Sequence, residues 1–270
     1  MTDSNYKASG PDGTTINVVD VSKEDLDAFG RDIDFEALDV MRTAPAMLTG
    51  AERLMLFNLI YCLRPQEYIE VGIRFGGASL IVSKAMDASN SKGRLYLVDA
   101  SPEVAQETWR QIEHRSELIE GWSPGVLADA AKKARAPFDF AFIDAGHQMK
   151  AVLRDSVGVF PFLADGAYLL FHDAYRTDVR EGIDRFVAMH PASLVDIGMV
   201  TRQFTHGPDE NPEDSKQRSC GFRLVQYRKH HGLRRPVVWL AGFYHRVLFV
   251  LGRLLDFFRR AATRMSGNSR

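Results

Sequence analysis

Between residues 68 and 173, short apolar runs alternate with helical patterns, and this alternation constrains the fold more than any other feature. The runs are "YIEV" (68–71), "RLYLVD" (94–99), "SELIEG" (116–121), "FDFAFID" (138–144) and "AYLLFHD" (167–173). Between them lie "GASLIVSKAMDAS", "PEVAQETWRQIEH", "PGVLADAAKKA" and "QMKAVLRDSVGVFPFL", each read as a helix. Strand–helix alternation at this spacing predicts an α/β fold, with a parallel sheet wound by right-handed crossovers. Two further runs, "LVDIGMV" (194–200) and "GFRLVQY" (221–227), flank a polar, proline-punctuated loop. They predict an antiparallel hairpin closing the sheet edge.

Upstream, "TGAERLMLFNLIYCL" opens with Thr49 and Glu52 at capping-box spacing. Leu56, Leu59, Ile60 and Leu63 recur at helical spacing, with Met55 and Cys62 widening the apolar face. Cys62 therefore reads as a core thiol. Two cysteines far apart, and no apolar leader after the first methionine, suit a reducing, cytoplasmic setting. The chain divides into an extension expected to be mobile and partly helical (1–46, with a helix in 22–41), a domain at 47–228, and a tail at 229–270.

The near-neutral chain hides a charge asymmetry. Residues 228–270 hold ten Lys or Arg against one acid, Asp256, so the rest of the chain is correspondingly acidic. An acidic body makes nucleic acid a poor partner. The segment 236–260 reads as a basic amphipathic helix, and three roles stay open for it: an anionic membrane surface, a homodimer contact, or packing on its own domain.

In an open α/β sheet, ligands sit beyond the carboxyl ends of the strands. Those ends carry Glu70 with the turn Gly72–Gly77, then Asp99, Gly121-Trp122-Ser123, Asp144-Ala145-Gly146-His147, and His172-Asp173. The spacing of Gly72, Gly76 and Gly77 departs from the dinucleotide fingerprint. Asp99, about 20 residues after the loop, suits ribose hydroxyls. A pyrophosphate would be repelled by Glu70, Asp144 and Asp173. S-adenosylmethionine (SAM) has an ammonium, a sulfonium and a ribose but no phosphate, so the acidic edge favours it. The Ser79 hydroxyl and the loop amides then suit its carboxylate.

The stretches "MLTGAERLMLFNLIYCLRPQEYIEVGIRFGGAS", "LYLVDASPE" and "FDFAFIDAGHQMKAVLRDSVGVFPFLADGAYLLFHDAY" resemble the class I SAM-dependent methyltransferases over about 47–227. Within that superfamily the chain is most similar to the branch of small-molecule and sugar O-methyltransferases and cephalosporin-hydroxylase-like proteins. The resemblance implies a Rossmann-like, seven-stranded, mostly parallel sheet with helices on both faces and an antiparallel last strand. It implies that Glu70, Gly72 and Gly76 hold the methionine end, Asp99 the ribose, and Trp122 and Ser123 the adenine surroundings. Members of this branch often bind a divalent ion, which would fall to Asp144, His172 and Asp173, with Mg²⁺ expected, or Mn²⁺ or Fe²⁺ through the imidazole. Where some sugar enzymes show two consecutive acids, this chain has His172 first. His147 is the expected general base beside Asp144, and Asp155 reads as a helix-surface acid. The expected activity is O-methylation of a small or glycosidic molecule. Two alternatives remain: a silent SAM-fold adaptor working through its tail, and an NAD-dependent oxidoreductase.

Overall fold

A computed structural model of the chain describes residues 7–9, 15–17, 36–206 and 218–229. Most of the expected 22–41 helix and all of the 236–260 helix lie outside those residues. Contacts divide the chain into Met1–Asp39 and Val40–Arg270. In the first unit, Lys7–Ser9 pairs antiparallel with Thr15–Asn17, and Glu36–Asp39 forms a short 3₁₀ turn.

The second unit carries a seven-stranded sheet. Its strands are β1 (Glu67–Val71), β2 (Arg94–Asp99), β3 (Ser116–Glu120), β4 (Phe138–Ile143), β5 (Leu163–Phe171), β6 (Leu194–Met199) and β7 (Arg223–Tyr227). Their spatial order is 3-2-1-4-5-7-6. The first five strands run parallel, and β7 is antiparallel to both β5 and β6, as the polar loop between the last two runs predicts. The helices are α1 (Gly50–Leu63), α2 (Gly77–Ala88), α3 (Gln106–Ile112), α4 (Leu127–Lys133), α5 (Met149–Val159) and α6 (Thr177–Met189), after a single turn at Val40–Thr43.

A parallel sheet covered on both faces needs strands that are apolar throughout. All five residues of β1 are buried, and Tyr68, Tyr96, Phe138, Phe140, Phe142 and Phe171 are fully enclosed. Tyr68 stacks on Phe140 from the neighbouring strand at 5.6 Å between centroids. The edge strand β6 is instead mostly exposed. No described helix is long and apolar enough to cross a membrane.

Two expectations fail. Cys62 is exposed, as is Leu63, because the stripe that α1 buries runs through Glu52, Leu56, Phe57 and Ile60. Cys62 lies two residues past Ile60, about 200° around the helix, and so faces away from the core. Asp155 is fully buried on α5, on the same stripe as Val152, Ser156 and Val159. Its Oδ1 accepts from Arg154 Nε at 3.1 Å, and burial pushes its carboxyl up.

Candidate active site

The strand ends assemble the site through the backbone. Beyond the last paired residues the ladder continues for one more bond. Gly72 N–H donates to Val98 O (2.8 Å), Asp144 N–H to Val71 O (2.8 Å) and His172 N–H to Ile143 O (3.2 Å). Gly72, Asp144 and His172 therefore stand side by side at the carboxyl edge of β1, β4 and β5.

Gly72 has φ +96°, and a Cβ there would lie 2.5 Å from Ala145 Cα. Only glycine fits both the backbone conformation and the approach. Gly72→Ala is expected to cost about 2–5 kcal/mol from backbone strain and overpacking, read as a lowered urea midpoint. Asp99 ends β2 as expected, and its carboxylate shapes the loop. Oδ2 accepts from Ile73 N (2.8 Å) and Arg74 N (2.9 Å), and Oδ1 from Ser101 N (2.8 Å). Gly76 then caps α2 with φ +74°.

Glu70 is buried beneath this turn. Its Oε2 accepts from Ser79 Oγ (2.9 Å) and Tyr68 OH (3.1 Å). Ser79, expected to meet a ligand carboxylate, is thus spent on Glu70. Oε1 is buried with no hydrogen-bond partner. Burial pushes the Glu70 carboxyl up to about 8, against the Ser79 bond and with help from Asp144. That oxygen can still accept a hydrogen bond. The loop after β3 places Trp122 outward, 75% exposed, and Ser123 inward with its hydroxyl unpartnered.

A wall over the turn comes from upstream. Arg53 donates to the carbonyls of Met41, Ala44, Ala46 and Leu48 at 2.5–3.0 Å. One guanidinium so holds this segment against Gly77, whose added Cβ would fall 2.3 Å from Ala46 N.

The second half of the site is a chain of charges. His147 Nε2 lies 2.9 Å from Asp173 Oδ2, with the imidazole half exposed and the carboxylate buried. Asp173 adopts φ +55° and also accepts from Cys220 N. Burial works to raise the Asp173 carboxyl, but the His147 bond and the His172 charge hold it well below the usual carboxylate range. His172 Nδ1 lies 2.7 Å from Asp144 Oδ1 and 3.8 Å from Asp173 Oδ2. Burial opposes protonation of His172, yet Asp144 holds its pKa well above the ordinary value. Asp144, His172, Asp173 and His147 are thus brought together just past the carboxyl ends of β4 and β5.

Glu52 joins them without having been expected there. Its Oε2 closes the capping box with Thr49 N (2.7 Å) and Thr49 Oγ1 (2.8 Å). Its Oε1 accepts from Gly221 N at 2.5 Å and lies 3.3 Å from His172 Nε2. The capping-box spacing announces the first role. Nothing local announces the second, whose partner is 169 residues away.

Residues 69–174 match the family described as a methyltransferase domain. No curated protein matches the chain. Among solved structures, an O-methyltransferase from Bacillus cereus in complex with S-adenosylhomocysteine (SAH) superposes with a TM-score of 0.53 at 19% identity, covering 75% of this chain and 97% of that one. The O-methyltransferase TomG from Streptomyces achromogenes, involved in tomaymycin synthesis and solved with SAM, gives 0.52 at 17% identity, covering 78% and 93%. At these identities the likeness is one of fold. The matched segment runs from β1 to just past β5 and takes in the glycine turn over Glu70, and the 3-2-1-4-5-7-6 sheet around it has the fold of these two enzymes.

Proposed function

We propose that the protein transfers the methyl group of SAM to a hydroxyl of a small molecule, glycosidic acceptors included. The observation that carries this is the His147–Asp173 pair, 2.9 Å apart, at the same sheet edge as the Glu70 turn. SAM supplies an electrophilic methyl on its sulfonium. Glu70 would hold the ammonium, the N-terminal amides of α2 the carboxylate, Asp99 the ribose, and Trp122 and Ser123 the adenine. His147 offers Asp173 its Nε2, leaving Nδ1 to receive the acceptor's hydroxyl proton. The buried, ionised Asp173 fixes the ring and stabilises the imidazolium that forms.

Asp144, His172 and Asp173 also suit a divalent cation, since their ligand atoms lie within 4.8 Å of one another. The cation would replace the proton between His172 Nδ1 and Asp144, and would lower the acceptor's pKa. Calorimetric titration of the protein with SAM, SAH and NAD, with and without Mg²⁺, tests this assignment. Saturable SAM and SAH binding with no NAD binding is expected; absence of SAM binding at high micromolar concentration removes it. If Asp144→Ala and Asp173→Ala leave turnover of an identified acceptor unchanged, the cation is not part of the reaction. Methyl transfer to any acceptor excludes a silent adaptor.

A further inference from the structure

His172 has a second nitrogen that the methyl-transfer reading does not use. Nε2 is buried and makes no hydrogen bond, although it lies 3.3 Å from Glu52 Oε1. On the same side is the buried thiol of Cys220, and the ligand atoms of Glu52, His172 and Cys220 all lie within 4.8 Å of one another. We propose that these three residues form a second cation site, for a borderline divalent ion such as Zn²⁺, which clamps the first helix to the last strands.

Four points support it. Tetrahedral coordination with Zn–N and Zn–O bonds near 2.0–2.1 Å puts the two donors about 3.3–3.4 Å apart. The Glu52–His172 separation matches that edge, while its geometry fails as a hydrogen bond. Asp144 accepts from Nδ1 at 2.7 Å, which orients the ring so that a metal displacing the Nε2 proton takes up that lone pair, as with a carboxylate behind a metal-bound histidine. Glu52 Oε1 takes one N–H from Gly221 and keeps a second lone pair for a metal. Glu52 and a Cys220 thiolate together neutralise a dication, and the thiolate selects Zn²⁺ over Mg²⁺. The site is closed by burial, which suits a structural ion. It is an alternative to the Asp144–His172–Asp173 set, which would use Nδ1 and hard oxygens, because a neutral imidazole has one lone pair to give.

The test strips full-length protein with a chelator and titrates it with Co²⁺. The expected result is saturable binding with thiolate-to-cobalt charge-transfer absorption in the near ultraviolet. This absorption disappears in Cys220→Ser and persists in Cys62→Ser and Asp173→Asn, with folding checked by circular dichroism. Glu52→Gln is expected to weaken binding by more than about 10-fold. X-ray absorption of the Co²⁺-loaded wild type decides the matter even if a variant misfolds: sulfur in the cobalt shell supports the site. Cobalt bound without sulfur, absorption surviving Cys220→Ser, or no binding at all overturns it.

Discussion

Replacing His147 with alanine is expected to lower kcat by about 10²–10⁴-fold while leaving SAM affinity unchanged. The imidazole is half exposed at the strand edge and lies 2.9 Å from a buried carboxylate, so its loss removes a proton acceptor without opening the core. Steady-state rates against calorimetric SAM binding separate the two effects. Asp173→Asn should give a smaller fall, because the ring keeps a hydrogen-bond acceptor but loses the charge that stabilises its protonated form. Asp173 also accepts from Cys220 N, so its variant should lower stability as well. A His147→Ala enzyme with full kcat would assign the proton to another group.

The second large effect lies at Glu70. Glu70→Gln keeps the shape and removes the charge, and SAH affinity is expected to fall about 10- to 150-fold, the equivalent of a charged hydrogen bond. The pH dependence follows from the same group. Burial holds its folded-state carboxyl near 8 against an ordinary 4.5, so the ligand-free folded protein binds more protons than the unfolded chain between those values. The contribution to stability is therefore complete below the ordinary value and is lost as pH rises through about 8. Binding runs the other way, since an ammonium favours the ionised carboxylate. The amino group of SAH, a free amino acid, keeps its proton through that range, so affinity should rise as pH passes through about 8. In Glu70→Gln that rise disappears. Thermal unfolding and titration calorimetry on both sides of the Glu70 shift, which lies at about 8, would show both trends; a flat wild-type profile would contradict the buried-carboxylate account.

Much of the scaffold is legible in the sequence because it rests on local periodicity and turn chemistry. The 94–99 run matches β2 at both ends, and the Thr49–Glu52 spacing matches the observed box. The convergence of Asp144 and Asp173 follows from topology, once parallel winding makes β4 and β5 neighbours. Side-chain chemistry misleads where it conflicts with position on the helix. Asp155 shares its buried stripe with Val152, Ser156 and Val159, so its periodicity points inward although its charge suggests the surface. Glu52 fails differently. A carboxylate has two oxygens, and the local motif accounts for one of them. The other accepts from Gly221 N and lies beside His172, which only the closed sheet brings near. Cys220 is invisible for the same reason.

The Glu52–Gly221 bond has a wider consequence. It joins the opening turn of the domain's first helix to the loop entering its final strand, at the edge where the chemistry is placed. Moving either of these two segments away breaks that bond beside His172. The Gly221 amide should therefore exchange its hydrogen only when the whole domain opens. The first helix and the last strand are then coupled, so that docking of one supports the other at this edge of the sheet.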